Sequence, residues 1–396
     1  MNRRSFLAGT ACLTASLGAP AVLRAQGSVL KLGVLTPLTG AGSQDGPRML
    51  KAMQAVVDEV NKAGGVLGRQ VALIVEDDQT NPEAAVRAAQ KLVGVDGVPV
   101  IMGTWASAVT SAVAPVCWES KTALMTVSGA DSITQLPHQG YIFRTQPTTT
   151  LQATKHAEYI ASTGAKKVYY LAVQTPFAVP MKDIMANVLS GNGASMVGGL
   201  VYEPSKTSYR SEIDRALAAK PDMIYLNSYS PDVTVLLKDL FRAGYTGGRL
   251  TQSYAYNTKV AESLPAEVTD GLVNVQPSSD IDSAAFSLAQ KRLGLEAPDS
   301  YEAQATDWAS LALLAIEKAK KATGTDIRDN VRAISQGGGT KVGSAVEGLK
   351  LLREGKDVNY DGVSGPCDFN EKGDIIDCRF RYGLAKGAKI ELIKVV

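Results

Sequence analysis

Along most of this chain, short apolar runs alternate with longer segments whose apolar residues recur every three or four positions. "VLKLGVL" reads as a strand. "PRMLKAMQAVVDEVNKAGG" reads as a helix, with Met49, Met53, Val56, Val57 and Val60 on one face and Gly64–Gly65 as its stop. "QVALIVEDD" is the next strand, and "NPEAAVRAAQKLV" opens a helix with an Asn81 cap and Pro82 in the first turn. "VPVIMG", a helix from Ser107, and "ALMTVS" continue the alternation.

The rhythm restarts with "TTTLQATKHAEYIAS" as helix and "KKVYYLAV" as strand, and runs on through "PDVTVLLKDLFRAG" and "GRLTQS". Such alternation predicts parallel sheets covered by helices on both faces. More than 250 residues of it exceed one core, so two lobes are expected. Beyond "GLVNVQP" the pattern changes to one long helix, "SYEAQATDWASLALLAIEKAKKATG", two shorter helices, a hairpin and a last strand, "AKIELIKV".

The ends and the charge narrow the picture. "MNRRSFLAGTACLTASLGAPAVLRAQ" has an arginine pair, a short apolar stretch and a small-residue region, the layout of an export signal of twin-arginine type over residues 1–25. A membrane anchor is disfavoured, because Gly9, Gly18 and Pro20 break an apolar stretch that would need roughly 20 residues to span. Cys12 lacks the context of a lipoprotein cysteine. Removing three arginines and no acid takes the net charge from +2 to about −1. A near-neutral chain with interspersed charges carries no footprint for nucleic acid or an anionic membrane.

Three cysteines remain. Counting outward from a Lys372–Gly373 turn sets Cys367 opposite Cys378, and in an oxidising compartment this predicts a cross-strand disulfide. Cys117 is expected to be buried and inert.

Chemistry is conspicuous by what is missing from the sequence. "VLTPLTGAGSQDG" places glycines after a strand, but four residues separate the strand from Gly40, and Gly40, Gly42 and Gly46 have the wrong spacing for a dinucleotide loop. Asp45 would also set negative charge beside a phosphate. The two histidines, His138 and His156, lie eighteen residues apart with no ligand-like spacing, so no metal site is expected and both read as solvated. No G-x-S-x-G elbow occurs. The reading is of a protein without cofactor, metal or catalytic set.

Several stretches resemble the solute-binding proteins of ABC importers, specifically the branched-chain amino-acid-binding type. They are "LGVLTPLTGAGSQDGPRMLKAMQAVVDEVNKAGGVLGRQVALIVEDDQTNPEAAV", "IMGTWASAVT", "TVSGADSITQL", "KPDMIYLNSYSPD" and "GPCDFNEKGDI". The resemblance implies the type I periplasmic-binding-protein fold: two doubly wound parallel-sheet lobes joined by a three-strand hinge that closes on a ligand. The lobes are expected over residues 26–147 plus 277–376 and 148–276 plus 377–396. A periplasmic monomer that docks on an importer's membrane subunits is implied.

By the same resemblance, Ser107 matches the family's carboxylate-binding serine, Ala130 a backbone contact and Ser132 a second hydroxyl. Trp105 is expected in the pocket wall, with Phe177 and Tyr229 closing from the other lobe. Ser107 also reads as a plain helix cap, and the aromatics as ordinary core. The departures are Tyr254, where amino-acid binders of the family carry a glutamate for the ligand ammonium, Asp45, where an aromatic is usual, and Asp131, where a small residue is common. A buried ammonium without a carboxylate is costly. The expected ligand is therefore a small, amine-free organic carboxylate, an aromatic acid foremost. A branched-chain or other amino acid, with Asp45 or Asp131 supplying the charge, is the alternative, and a ligand-sensing receptor module another.

Overall fold

A computed structural model describes residues 29–396. The expected export signal and Cys12 lie outside the described residues.

Two large sheets organise the chain. The first holds β1 (Leu30–Thr36), β2 (Val71–Asp77), β3 (Val100–Gly103), β4 (Ala123–Thr126) and β5 (Ile142–Arg144), all parallel, in the order β2-β1-β3-β4-β5. The second begins with β6 (Lys167–Val173), β7 (Ser195–Tyr202), β8 (Met223–Asn227), β9 (Gly248–Gln252) and β10 (Leu272–Ser278), again parallel. A small sheet of β11 (Thr340–Val342), β12 (Val358–Gly362) and β13 (Gly365–Pro366) follows. The chain then returns to the second sheet with β14 (Arg379–Lys386) and β15 (Lys389–Val395), both antiparallel, to give the order β15-β14-β10-β9-β8-β6-β7.

The strand runs are apolar because helices cover both faces of each sheet. Val34, Met102, Val56 and Trp308 belong to the core of the first sheet. The second sheet has a core on each face, one around Leu226 and Leu237 and the other around Tyr170 and Met185. Asn81 caps its helix as expected, its side chain accepting from Ala84 N at 2.9 Å. The long helix is Ser300–Ala319, buried along nearly its whole length against helices Gly46–Lys62 and Gly324–Ser335. Among the described residues, no helix is long and apolar enough to cross a membrane.

Two expectations are corrected here. Cys367 and Cys378 are both free thiols. Phe369 pairs with Ile375 and Ile376 N donates to Asp368 O, so the ribbon register is one residue away from a count about Lys372–Gly373. A one-residue slip turns a side chain to the opposite face. Cys367 consequently lies in the core of the first sheet, and Cys378 packs on the second. The histidines are buried, not solvated. His156 faces the hydroxyl of Tyr225 at 3.0 Å, and burial depresses its pKa to about 3. Cys117 is buried, and burial raises its thiol to about 12.

Candidate functional site

The strand ends of the two sheets face one another, and the loops there make the site. At the end of β3 the backbone turns left-handed, with φ +121° at Gly103 and +57° at Thr104. A Cβ at Gly103 would collide with the carbonyl of Leu35, so glycine is required. The turn delivers Trp105 and then helix Ser107–Glu119. Ala106, not Ser107, is the N-cap, and no side chain caps this helix. Ser107 is therefore the first helical residue, and its hydroxyl accepts from the backbone N–H of Ala130 at 3.2 Å.

Buried hydroxyls bind the two loops together. Thr104 Oγ1 donates to Thr126 Oγ1 at 2.9 Å, and Ser128 Oγ donates to the Trp105 carbonyl at 3.0 Å. Below them the fully buried Arg144 donates to the carbonyl of Ala130 at 2.7 Å and to Thr134 Oγ1 at 2.8 Å. Its Nε donates to Asp374 at 2.9 Å, so one ion pair anchors the whole 128–134 loop.

From the second sheet come Phe177, Tyr229 and Tyr254. The Phe177 ring lies so close to Gly129 that a Cβ there would sit 2.6 Å from it. Trp105 meets Tyr229 at 5.3 Å between centroids and Tyr254 edge-on at 5.8 Å. Tyr254 donates its hydroxyl to Asn227 at 2.5 Å. These rings enclose a small cavity of about 40 Å³. Its wall includes Trp105, Ser107, Gly129, Phe177, Tyr229 and Tyr254, with Gln146, Thr175 and Tyr301, and carries no ionisable acid or base other than phenols. Burial raises all three phenols, Tyr229 to about 12, so each stays a neutral hydroxyl. Trp105 Nε1 is buried there beside Tyr301, without a well-aligned hydrogen-bond partner.

Five of the nine expected ligand residues line this cavity: Trp105, Ser107, Phe177, Tyr229 and Tyr254. Ala130 is buried just behind it, bonded to Ser107. The remaining three stand elsewhere. Asp131 accepts from Thr150 N and Oγ1, tying the start of helix Thr149–Ser162, because its carboxylate satisfies donors of that first turn. Ser132 is exposed on a 3₁₀ turn and does not line the cavity. Asp45 is buried and paired with Arg48, facing a second, larger cavity. Burial pushes its carboxyl up to about 7 against the pull of Arg48, and Asp299 adds to the rise.

Sequence reasoning missed Tyr301, Gln146 and Thr175. The "PDSYE" stretch does signal a helix start, and Asp299 and Glu302 form a reciprocal capping box around Tyr301. Nothing in it says that the ring turns to the cleft. Gln146 is held by Gln304, whose Nε2 donates to it at 2.8 Å.

Comparison with known proteins bears on the family and the fold. The family described as periplasmic binding protein matches residues 29–382. The Leu/Ile/Val-binding protein BraC3 of Rhizobium johnstonii is 28% identical over 298 residues, covering 73% of this chain and 79% of its own. Among solved structures, the leucine-binding protein LivK of Thermotoga maritima superposes with a TM-score of 0.79 at 21% identity, covering 93% of this chain and 99% of that one. A solute-binding protein of an ABC transporter from R. palustris, solved with benzoate, gives 0.76 at 18% identity, with 93% and 96% covered.

Proposed function

The chain belongs to the periplasmic binding protein family, and from that premise we propose that it is the extracytoplasmic receptor of an ABC importer for a small, amine-free organic carboxylate with an aromatic body. The observation that carries this reading is the charge of the cavity wall. The position that resembles the ammonium-binding glutamate is Tyr254, a neutral phenol already committed to Asn227, and no carboxylate lines the cavity. An ammonium there would lose its hydration without a counter-charge.

The opposite end of a ligand fares better. The N-terminus of helix Ser107–Glu119 has no side-chain cap, its dipole favours an anion, and the Ser107 hydroxyl and unpartnered Trp105 Nε1 add donors. A flat apolar body fits against Trp105, Tyr229 and Phe177. At about 40 Å³ the cavity holds only a few waters, so a ligand enters when the lobes part. The lobes of this reading are residues 26–147 with 277–376 and 148–276 with 377–396, hinged at the three crossovers between them. The closed form presents a surface to the importer's membrane subunits, after export as a monomer.

The second reading is a branched-chain amino-acid receptor, favoured by the name of the relative BraC3. Titration calorimetry on ligand-stripped protein separates the two. Saturable binding of benzoate or hydrocinnamate, weakened about ten-fold by Ser107→Ala, supports the carboxylate reading. Binding of leucine in the same cavity, lost in Ser107→Ala while the amine-free acids give no heat, overturns it.

A further inference from the structure

The larger cavity, about 720 Å³, lies on the far side of Tyr301, which lines both. It is bounded by the start of helix Gly46–Lys62, the residues after β9, strands β10, β14 and β15, and the start of helix Ser300–Ala319. Its volume falls in the range of small-molecule pockets, roughly 300–1,000 Å³.

Its charges are separated. On one wall stands Arg381, partly buried on β14. With the Gln276 amide oriented to satisfy both groups, the Gln276 oxygen accepts from Arg381 Nε and Nη2 at 2.6 Å. Among the described residues, no carboxylate lies within ion-pair distance of this guanidinium. On the other wall, Asp45, Asp299 and Glu302 share a single guanidinium, Arg48, which pairs with both Asp45 and Asp299. Lys51 nearby donates to the carbonyl of Leu293, and the exposed Lys259 and Glu262 add one charge of each sign to the lining. Arg381 thus has no contact ion pair, Asp299 being the carboxylate whose charge reaches it, and the opposite wall carries more carboxylates than cations. Apolar groups line both walls: Tyr301 and Leu295 on the side of the acids, Ile390 and Leu392 on the strand beside β14.

We propose that this groove is a second binding site, selective for zwitterions, in which Arg381 and Gln276 hold a carboxylate and the Asp45–Asp299–Glu302 wall holds an amine. A molecule bearing both charges on an apolar body supplies each wall with its missing partner, whereas a simple anion faces repulsion from the acids. Burial depresses the pKa of Arg381 while the charge of Asp299 opposes that fall, and burial raises Glu302 to about 7 with Asp299 adding to the rise. The site is distinct from the cavity at Ser107 and does not depend on what that cavity binds.

The test is calorimetry on ligand-stripped mature protein with leucine and 6-aminohexanoate as zwitterions, hexanoate as the acid without an amine, and hexylamine as the amine without an acid. At least one zwitterion is expected to bind, with hexanoate and hexylamine ten-fold or more weaker. Arg381→Gln is expected to cut zwitterion affinity at least ten-fold and to leave benzoate binding unchanged; Ser107→Ala should do the reverse. Leu392→Trp offers a variant with little risk to folding, since Leu392 is 60% exposed while lining the groove, and its indole should block the zwitterion. No saturable heat with either zwitterion, binding that survives both groove variants, or zwitterion binding lost in Ser107→Ala would each overturn the site. Failure of benzoate alone bears only on the cavity at Ser107.

Discussion

Trp105 and Tyr229 meet across the cleft with ring centroids 5.3 Å apart and planes tilted by 37°. One ring is delivered by the first sheet and the other by the second, so an aromatic contact joins the two halves. Offset aromatic pairs contribute about 0.5–1.5 kcal/mol beyond the area they bury. On the proposed hinge mechanism, closure without ligand is favoured by a small amount, and a ligand's contacts with both lobes add to it.

Trp105 also brings an unsatisfied N–H into the cavity. Trp105→Phe keeps most of the ring and removes that donor. Benzoate affinity should fall about five- to ten-fold by calorimetry, while the melting temperature of ligand-free protein holds steady or rises, because an unpaired buried donor costs roughly 1–3 kcal/mol. Unchanged affinity would remove Nε1 from the binding set.

At Gly129 a loop of the first sheet meets one of the second, with Phe177 occupying the space of a missing Cβ. Gly129→Ala should hold the lobes apart and weaken ligand binding about ten-fold or more. Adding Phe177→Leu to it should restore much of the loss. Small-angle scattering should show a larger radius of gyration for the single variant with ligand present.

Arg144 and Asp374 form a buried pair beneath the 128–134 loop. Arg144→Met strands the Asp374 carboxylate and should cost about 3–5 kcal/mol of stability in denaturant unfolding. Arg144→Met with Asp374→Leu should recover part of that, because neither charge is then left alone. Equal loss in single and double variants would mean that Arg144 acts through its hydrogen bonds to the loop carbonyls.

Asp45 faces Arg48, Asp299 and Glu302, and burial raises its folded pKa from 3.8 to about 7. Between those values the folded state holds a proton that the unfolded chain has released. Stability from this group is full below about pH 4 and is lost as pH rises through 7. Asp45→Asn removes this titration. The melting temperature of the wild type, measured against that variant, should therefore decline from pH 5 to pH 8; a constant difference across the range would refute it.

Free thiols are a simpler check. Protein lacking residues 1–25 should show three reactive thiols once denatured, from Cys117, Cys367 and Cys378. A reducing agent should leave its melting temperature unchanged. One thiol would reinstate the bridge.

The local pattern was enough for most elements. The face of Met49, Met53, Val56, Val57 and Val60 and the Asn81–Pro82 start are short-range signals, and each helix they predict is present. The alternation of strands and helices likewise determined the class of fold, since a parallel strand needs a covering helix before the next. Trp105 and Ser107 were singled out by the family resemblance, and the structure sets both in the wall of the small cavity, with Ala106 rather than Ser107 as the helix cap.

What depended on long-range packing was not legible. His156 sits on a helix that looked half polar, yet that face packs against Tyr225 and Phe380 from distant strands. Cys367 and Cys378 were separated by a register shift of one residue, which no count of spacing detects. Asp45 directly precedes Gly46 of the opening loop, but it pairs with Arg48 and faces the larger cavity, not the small one. Tyr301 follows Trp105 by almost two hundred residues, and only the docking of helix Ser300–Ala319 onto helix Gly46–Lys62 brings their rings within 6.3 Å. A sequence carries periodicity and turn chemistry within a few residues; which side chains share a cavity is decided by burial summed over the whole chain, and that sum exists only in the folded molecule.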